Sequence, residues 1–183
     1  MLKILPSNYS INRYGLNVRF VNESDAEFIV NLRTDEQLGR FINSTSPNIQ
    51  DQIKWTRLYK EREKNGLDYY FIFEDSSNGE KLGVDRIYDI TSDSFTTGSW
   101  LFKRDSPLGA AIIADIITRE IAYELFPTHK HLFDIKKSNV TVNRYAKSFH
   151  SEIIYESEDT NYYANTRENF EKYKKLHLRM FKK

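Results

Sequence analysis

The 183-residue chain contains no cysteine. Disulfides, thiolate metal sites and a cysteine nucleophile are therefore excluded, and the composition fits a reducing compartment. Proline and glycine are sparse, at four and seven residues, and no internal repeat, linker or low-complexity segment is visible. No apolar run is long enough to cross a bilayer, and the opening MLKILPSNYS lacks the apolar core of a signal peptide. Charge of one sign is also missing. A formal net charge of +1 gives neither a basic field for nucleic acid nor an acidic tail. The four histidines lack ligand spacing, with His129 and His131 only two apart at a helix-to-strand turn, so no metal site is expected. No nucleophile elbow supports serine–histidine–aspartate chemistry.

What remains is a soluble globular composition, 39% apolar and 29% charged, which suits one domain over residues 1–183 in the cytoplasm. Twelve tyrosines and twelve phenylalanines are expected to line a core and a groove. A nucleic-acid stacking surface would need a basic groove that the sequence does not show.

Periodicity orders the elements. LNVRFV (16–21) reads as a first strand. Ser24 is expected to cap the following helix, 25–35, with Glu27 as its capping-box partner and Phe28, Ile29 and Leu32 on the apolar side. A short helical region covers 37–41, and a helix over 49–64 carries Ile53, Trp55 and Leu58 before Asn65–Gly66 ends it. The period then changes to two. Strands over 68–75, 82–90 and 95–103 form an antiparallel meander, with Asn78–Gly79 in the first turn. Later come a strand at 130–137, a short helix at 138–149, a last strand within 151–166 and a basic amphipathic helix at 167–181. The order predicts a mixed α/β fold with a mostly antiparallel sheet. One parallel pair is expected, between the strand ending at Phe102 and the strand near Phe133, joined by a long helix.

That long helix follows the most informative stretch, Ser94–Phe126. A strand runs into a turn containing Pro107 and Gly109. A helix then begins, with Ile112, Ile113, Ile116, Ile117, Ile121 and Leu125 on its apolar side. The first turn of a helix leaves N–H groups without partners and carries partial positive charge. Gly109, Ala110 and Ala111 have almost no side chain, so a phosphate could approach their backbone closely.

This order of elements resembles the GNAT superfamily of acyl-CoA N-acyltransferases over about Leu16–Tyr163. Four segments carry the resemblance: VRFVNESDAEFIVNLR, EKLGVDRIYDI, SWLFKRDSPLGAAI and NVTVNRYAKSF. The third is similar to the family's strand and pyrophosphate loop. Ser106 stands where the family usually has Gln or Arg, and Lys103 and Arg104 lie just upstream. The fourth is similar to the family's Asn-to-Tyr segment, but from Asn139 the tyrosine, Tyr145, falls one residue early.

The resemblance implies a splayed parallel strand pair that holds acetyl-CoA. Backbone groups of Leu101, Phe102 and Lys103 would pair with the pantetheine arm. Ser106, Leu108, Gly109, Ala110 and Ala111 would cradle the pyrophosphate, with Arg104 nearby and Asn139 contacting the cofactor. A substrate amine would attack the thioester directly. Tyr145 is the candidate general acid. Asp85, which interrupts an apolar strand, is the candidate base or amine-binding group, and His150 is a further acid–base candidate. The implied acceptor is a small-molecule amine, with an amino sugar on a nucleotide preferred and no nucleic acid or membrane partner expected. Two other readings stay open: a GNAT-like module that binds acyl-CoA or a partner without turnover, and a protein or polyamine acetyltransferase. The last helix either caps the sheet or mediates a homodimer.

Overall fold

The structure, a computed structural model, describes residues 4–181. The first three residues of the opening segment and the last two lysines of the basic tail lie outside the described residues. Eight strands form one sheet: β1 (Ser10–Arg13), β2 (Leu16–Phe20), β3 (Tyr69–Asp75), β4 (Lys81–Tyr88), β5 (Ser94–Phe102), β6 (Lys130–Lys136), β7 (Glu152–Glu156) and β8 (Thr160–Asn165). Their spatial order is β1-β2-β3-β4-β5-β6-β8-β7. Every neighbouring pair is antiparallel except β5–β6. The expected α/β fold, with one parallel pair in a mostly antiparallel sheet, is therefore what forms. Five helices cover the sheet: α1 (Ala26–Thr34), α2 (Ile49–Lys64), α3 (Ala110–Leu125), α4 (Val140–Ser148) and α5 (Arg167–Phe181).

The run YYFIFED shows why this strand is almost continuously apolar. Tyr69, Phe71 and Phe73 enter a core beneath α3 and α5, whereas Tyr70 and Ile72 enter a second core beneath α1 and α2. Both faces are covered, so both sets of alternating residues must be apolar.

Several local expectations are corrected. The helix cap is Asn22, not Ser24. Asn22 accepts the Ser24 N–H, and the Asp25 carboxylate takes the Asn22 N–H at 2.9 Å, which makes a capping box around a short 3₁₀ turn. The residues before Leu16 form β1, joined to β2 by Tyr14–Gly15. Both turn residues have positive φ (53° and 83°), as a type I′ hairpin needs. The last expected strand is a hairpin, β7–β8, whose second arm inserts next to β6.

On α2 the buried stripe is Gln52, Thr56, Tyr59 and Glu63, and Leu58 is 66% exposed. The polar stripe is internally satisfied. Thr56 donates to the Gln52 carbonyl at 2.9 Å. The Tyr59 hydroxyl donates to Glu63 at 2.5 Å and accepts the Tyr70 N–H at 2.8 Å. One fully buried phenol thus pins α2 to β3.

Among the described residues no helix is long and apolar enough to cross a membrane, and no group of three or more His, Asp and Glu could hold a metal ion.

Candidate acyl-transfer site

The parallel joint between β5 and β6 is short. Ser94, Phe95 and Thr96 pair with Lys130, His131 and Leu132, and the strands then part, although β5 continues to Phe102 and β6 to Lys136. A bulge in β5 accompanies the parting. Val84 pairs with Leu101 and Arg86 with Gly98, so β5 has extra residues opposite Asp85. Ser99 sits there at φ 57°, in the left-handed region, and the faces of β5 exchange across it. Phe95 points toward α3 before the bulge, and Trp100 and Phe102 do so after it. Leu101 turns to the α1–α2 core.

Two connected cavities follow from this geometry. A narrow cleft of about 170 Å³ passes through the sheet between β5 and β6. It runs from Phe41 and Ile42 on the α1–α2 side to Asp115, Tyr145 and Phe149 on the α3–α4 side. A wide groove of about 650 Å³ opens on the α1–α2 side, beneath the loop at 41–46. Beyond the joint, one backbone edge of β5 pairs with β4 and the other faces the cleft. An extended chain laid in the cleft could add to that free edge as a strand does. Leu101, Asn139 and Tyr145 line the cleft. Asn139 also caps α4, accepting the Val142 N–H at 3.3 Å.

The turn into α3 holds the other expected contacts. Gly109 is the N-cap residue at φ 85°, Ala110 is buried and Leu108 is 92% exposed. A side chain on Gly109 would not meet a ligand first: its Cβ would lie 2.3 Å from the Phe181 ring at the end of α5. The bare glycine therefore serves helix packing as well as any anion. The Ala110 N–H is already taken by the Pro107 carbonyl at 2.9 Å, and the Ser106 hydroxyl leans on the Leu82 carbonyl at 3.4 Å. Ala111 accepts the Trp100 indole N–H through its carbonyl at 2.9 Å, which fixes Trp100 over Tyr145. Lys103 pairs with Glu80, and Arg104 with Asp35 at 2.6 Å, so both nearby cations already have carboxylate partners.

Tyr145 lies deep in the cleft, within a network that sequence reading missed. Its hydroxyl donates to the Asp115 carboxylate at 2.5 Å and accepts from Arg119 at 3.0 Å. Asp115 and Arg119, one turn apart on α3, are paired as well. The Arg119 guanidinium is buried over the Phe149 ring, 3.9 Å from its centre. Burial first, then the Asp115 charge, holds the Tyr145 phenol well above its ordinary value, so it keeps its proton at neutral pH. The available signal was an acid and a base at i and i+4, Asp115 and Arg119, in a mostly apolar helix.

The other two acid–base candidates lie elsewhere. Asp85 pairs with Phe71 across β3–β4 and so faces α3, outside both cavities. Its Oδ1 accepts the Arg86 N–H at 2.9 Å, and its buried Oδ2 has no partner among the described residues. Burial first, then the Asp115 charge, pushes this carboxyl well above the usual range. The register thus removes Asp85 from the groove. His150 is exposed at φ 53° and stacks on Tyr173, with ring centres 4.2 Å apart. It also lies outside both cavities.

The raised Asp85 carboxyl has a thermodynamic consequence. A carboxyl that keeps its proton longer in the folded chain than in the unfolded chain makes stability fall as pH rises. The fall begins near the unfolded value of about 3.9 and continues until the folded group ionises. Asp85→Asn is therefore expected to raise the melting temperature at about pH 8 and to change it little at about pH 4. A lower melting temperature at the higher pH would contradict the raised carboxyl.

The wide groove combines aromatic and cationic groups. Trp55 stacks on Tyr59 and lies under Arg86, whose guanidinium is 5.1 Å from the indole centre. Arg86 is itself bound by Asp68. Arg33, at the end of α1, differs. Its hydrogen bonds go to Thr45 at 2.6 Å and to Ser99 and the Asn43 carbonyl at 3.3 Å, all neutral groups. Trp55 and the buried Tyr70 line the groove, whereas Tyr59 and Tyr69 do not reach it.

No family model matches the sequence, and no curated protein does. Solved structures do match. The ligand-free form of FdhC, a nucleotide-linked sugar GNAT, superposes with a TM-score of 0.84 at 28% identity, covering 96% of this chain and 99% of that one. The chain has the GNAT fold. Among further GNAT structures, RimJ of Mycobacterium smegmatis in complex with CoA-disulfide matches with a TM-score of 0.73 at 16% identity, covering 90% of this chain and 88% of that one. The ribosomal-protein-S5-alanine acetyltransferase of Vibrio fischeri matches with a TM-score of 0.74 at 16% identity, over 89% and 99%. At these lower identities the GNAT likeness is one of fold alone.

Proposed function

We propose that the protein transfers an acyl group, acetyl in the simplest case, from acyl-CoA to the primary amine of a nucleotide-linked amino sugar. The observation that carries this reading is the cleft through the sheet, open along the β5 edge and continuous with a cationic, aromatic groove. The pantetheine arm would lie along Leu101 and Phe102, with its pyrophosphate at the turn before α3, since a helix's first turn leaves N–H groups without intrahelical partners, although that of Ala110 is taken by Pro107. The thioester would then reach Tyr145, which protonates the departing sulfur. A nucleotide diphosphate suits Arg33, the groove guanidinium without a carboxylate partner, and a base or sugar ring suits Trp55. FdhC, matched over 96% of this chain and 99% of its own, is a nucleotide-linked sugar GNAT, which supports this acceptor class.

The test is calorimetric titration with acetyl-CoA, followed by thiol-release assays with UDP- and dTDP-linked amino hexoses. Micromolar acetyl-CoA binding and turnover of a panel member are expected. Arg33→Ala is expected to raise KM for that acceptor by about 10-fold or more, the cost of one charge-assisted hydrogen bond, and to leave KM for acetyl-CoA unchanged. Equal KM values in the two proteins would remove Arg33 from the acceptor site. The carboxylate partners of Lys103 and Arg104 favour one other reading, a module that binds acyl-CoA weakly without turnover. Binding with no turnover of any amine would select it.

A further inference from the structure

We infer that Asp134 is the catalytic group that receives the acceptor's proton, an inference that rests on the acyltransfer reading above. In acyl transfer the thioester carbonyl and the amine must meet where the cleft opens into the groove. The residues common to both cavities include Phe41, Ile42, Gly98 and Ser99, and only two shared residues, Asp134 and Lys136, carry ionisable side chains. The Lys136 ammonium is held by Asp159 at 2.8 Å and by the Thr160 hydroxyl at 3.2 Å. That leaves one carboxylate at the meeting point.

The alternatives are placed or occupied otherwise. Asp51 lines only the groove and accepts from Ser46 at 2.7 Å. Asp115 lines only the cleft and is held by Tyr145 and Arg119. The Asp134 carboxylate accepts no side-chain hydrogen bond and forms no ion pair among the described residues, and its side chain is exposed to the groove. Its neighbours in the groove are Tyr162, its register partner on β8, and Tyr88, on β4 across the opening. Burial first, and then Asp134 itself, pushes the Tyr88 hydroxyl up to about 12, so that group stays neutral beside the carboxylate.

The proton balance closes on this arrangement. The neutral amine nitrogen forms a bond to the thioester carbonyl carbon, and the carbonyl electrons move to oxygen. The nitrogen, now acidic, gives one proton to Asp134. The carbonyl re-forms, the C–S bond breaks with its electron pair going to sulfur, and sulfur takes the Tyr145 proton. The proton on Asp134 returns to Tyr145 through solvent. The products are the amide and CoA thiol, with no net proton change from neutral amine.

The experiment compares Asp134→Asn and Asp134→Glu with the unaltered protein, using acetyl-CoA and the same panel of UDP- and dTDP-linked amino hexoses. Calorimetric acetyl-CoA affinity serves as the control for folding. The expected result is a fall in kcat of about 100-fold or more for Asp134→Asn, unchanged acetyl-CoA affinity, and partial recovery in Asp134→Glu. A kcat within about twofold of the unaltered protein would overturn the inference, because general-base loss costs far more. If the unaltered protein ignores the nucleotide-linked panel but acetylates spermidine or a peptide amine, the acceptor reading fails. Asp134→Asn is then judged by the same fall with that amine. If no amine is turned over, the acyltransfer reading and the role of Asp134 fall together.

Discussion

Tyr145→Phe is expected to lower kcat by about 100-fold or more, with acetyl-CoA affinity unchanged. The phenol has two bonding partners that decide what it can do. Asp115 accepts its proton at 2.5 Å, and Arg119 donates to its oxygen at 3.0 Å. Burial and the Asp115 charge keep the proton on oxygen at neutral pH, which is the state a general acid must start from. Arg119 pulls in the other direction and stabilises the phenolate that exists after proton transfer to sulfur. The measurement is kcat with any accepted amine, beside calorimetric titration of acetyl-CoA. Undiminished kcat with intact binding would mean that sulfur leaves as thiolate or takes its proton from water.

The second large effect is on stability. Asp115→Ala is expected to cost roughly 3–5 kcal/mol, because it leaves the Arg119 charge buried without its carboxylate. Arg119 is only 3% exposed, and its Nε has no partner among the described residues even in the intact protein. The aromatic rings of Phe149 and Phe170 offset part of that burial but supply no counter-charge. Denaturant unfolding of Asp115→Ala, Arg119→Met and the double variant Asp115→Leu/Arg119→Met is the check. The double variant should lose less than Asp115→Ala alone, since replacing both members of a buried pair by apolar groups is often near neutral. A double variant as unstable as the sum of its parts would show that the two residues act independently.

Much of the architecture was legible because its signals are periodic. The continuous apolar run at β3, the meander that follows it and the glycine turn before α3 all announce themselves in local order. The hairpin of β7 and β8 was not legible as two strands, because its turn at 157–159 contains neither glycine nor proline. At the site, Asp85 and Asp134 carry the same local signal, a carboxylate inside an apolar strand. Only the sheet register separates them. Asp85 lies opposite Phe71 and faces α3, whereas Asp134 follows the point where β6 leaves β5. Arg33 and Arg119 depend on which helix face meets which cavity, and that is fixed by tertiary packing rather than by spacing along the chain. Tyr145 was legible through its neighbours in sequence, but Asp115, its hydrogen-bond acceptor, is 30 residues away.

The short joint between β5 and β6 also has a mechanical meaning. Three residue pairs hold a five-stranded plate, β1 to β5, to a three-stranded one, β6 to β8. The joint lies at one end of both strands, so the plates form a wedge whose open side carries unsatisfied backbone groups. Backbone bonding between the two plates is confined to those three rungs when the wedge is empty. A chain laid along the open edge replaces the missing rungs and extends that bonding over the full length of β5. The substrate arm would then act as a temporary ninth strand, and the protein would be stiffest while it is loaded.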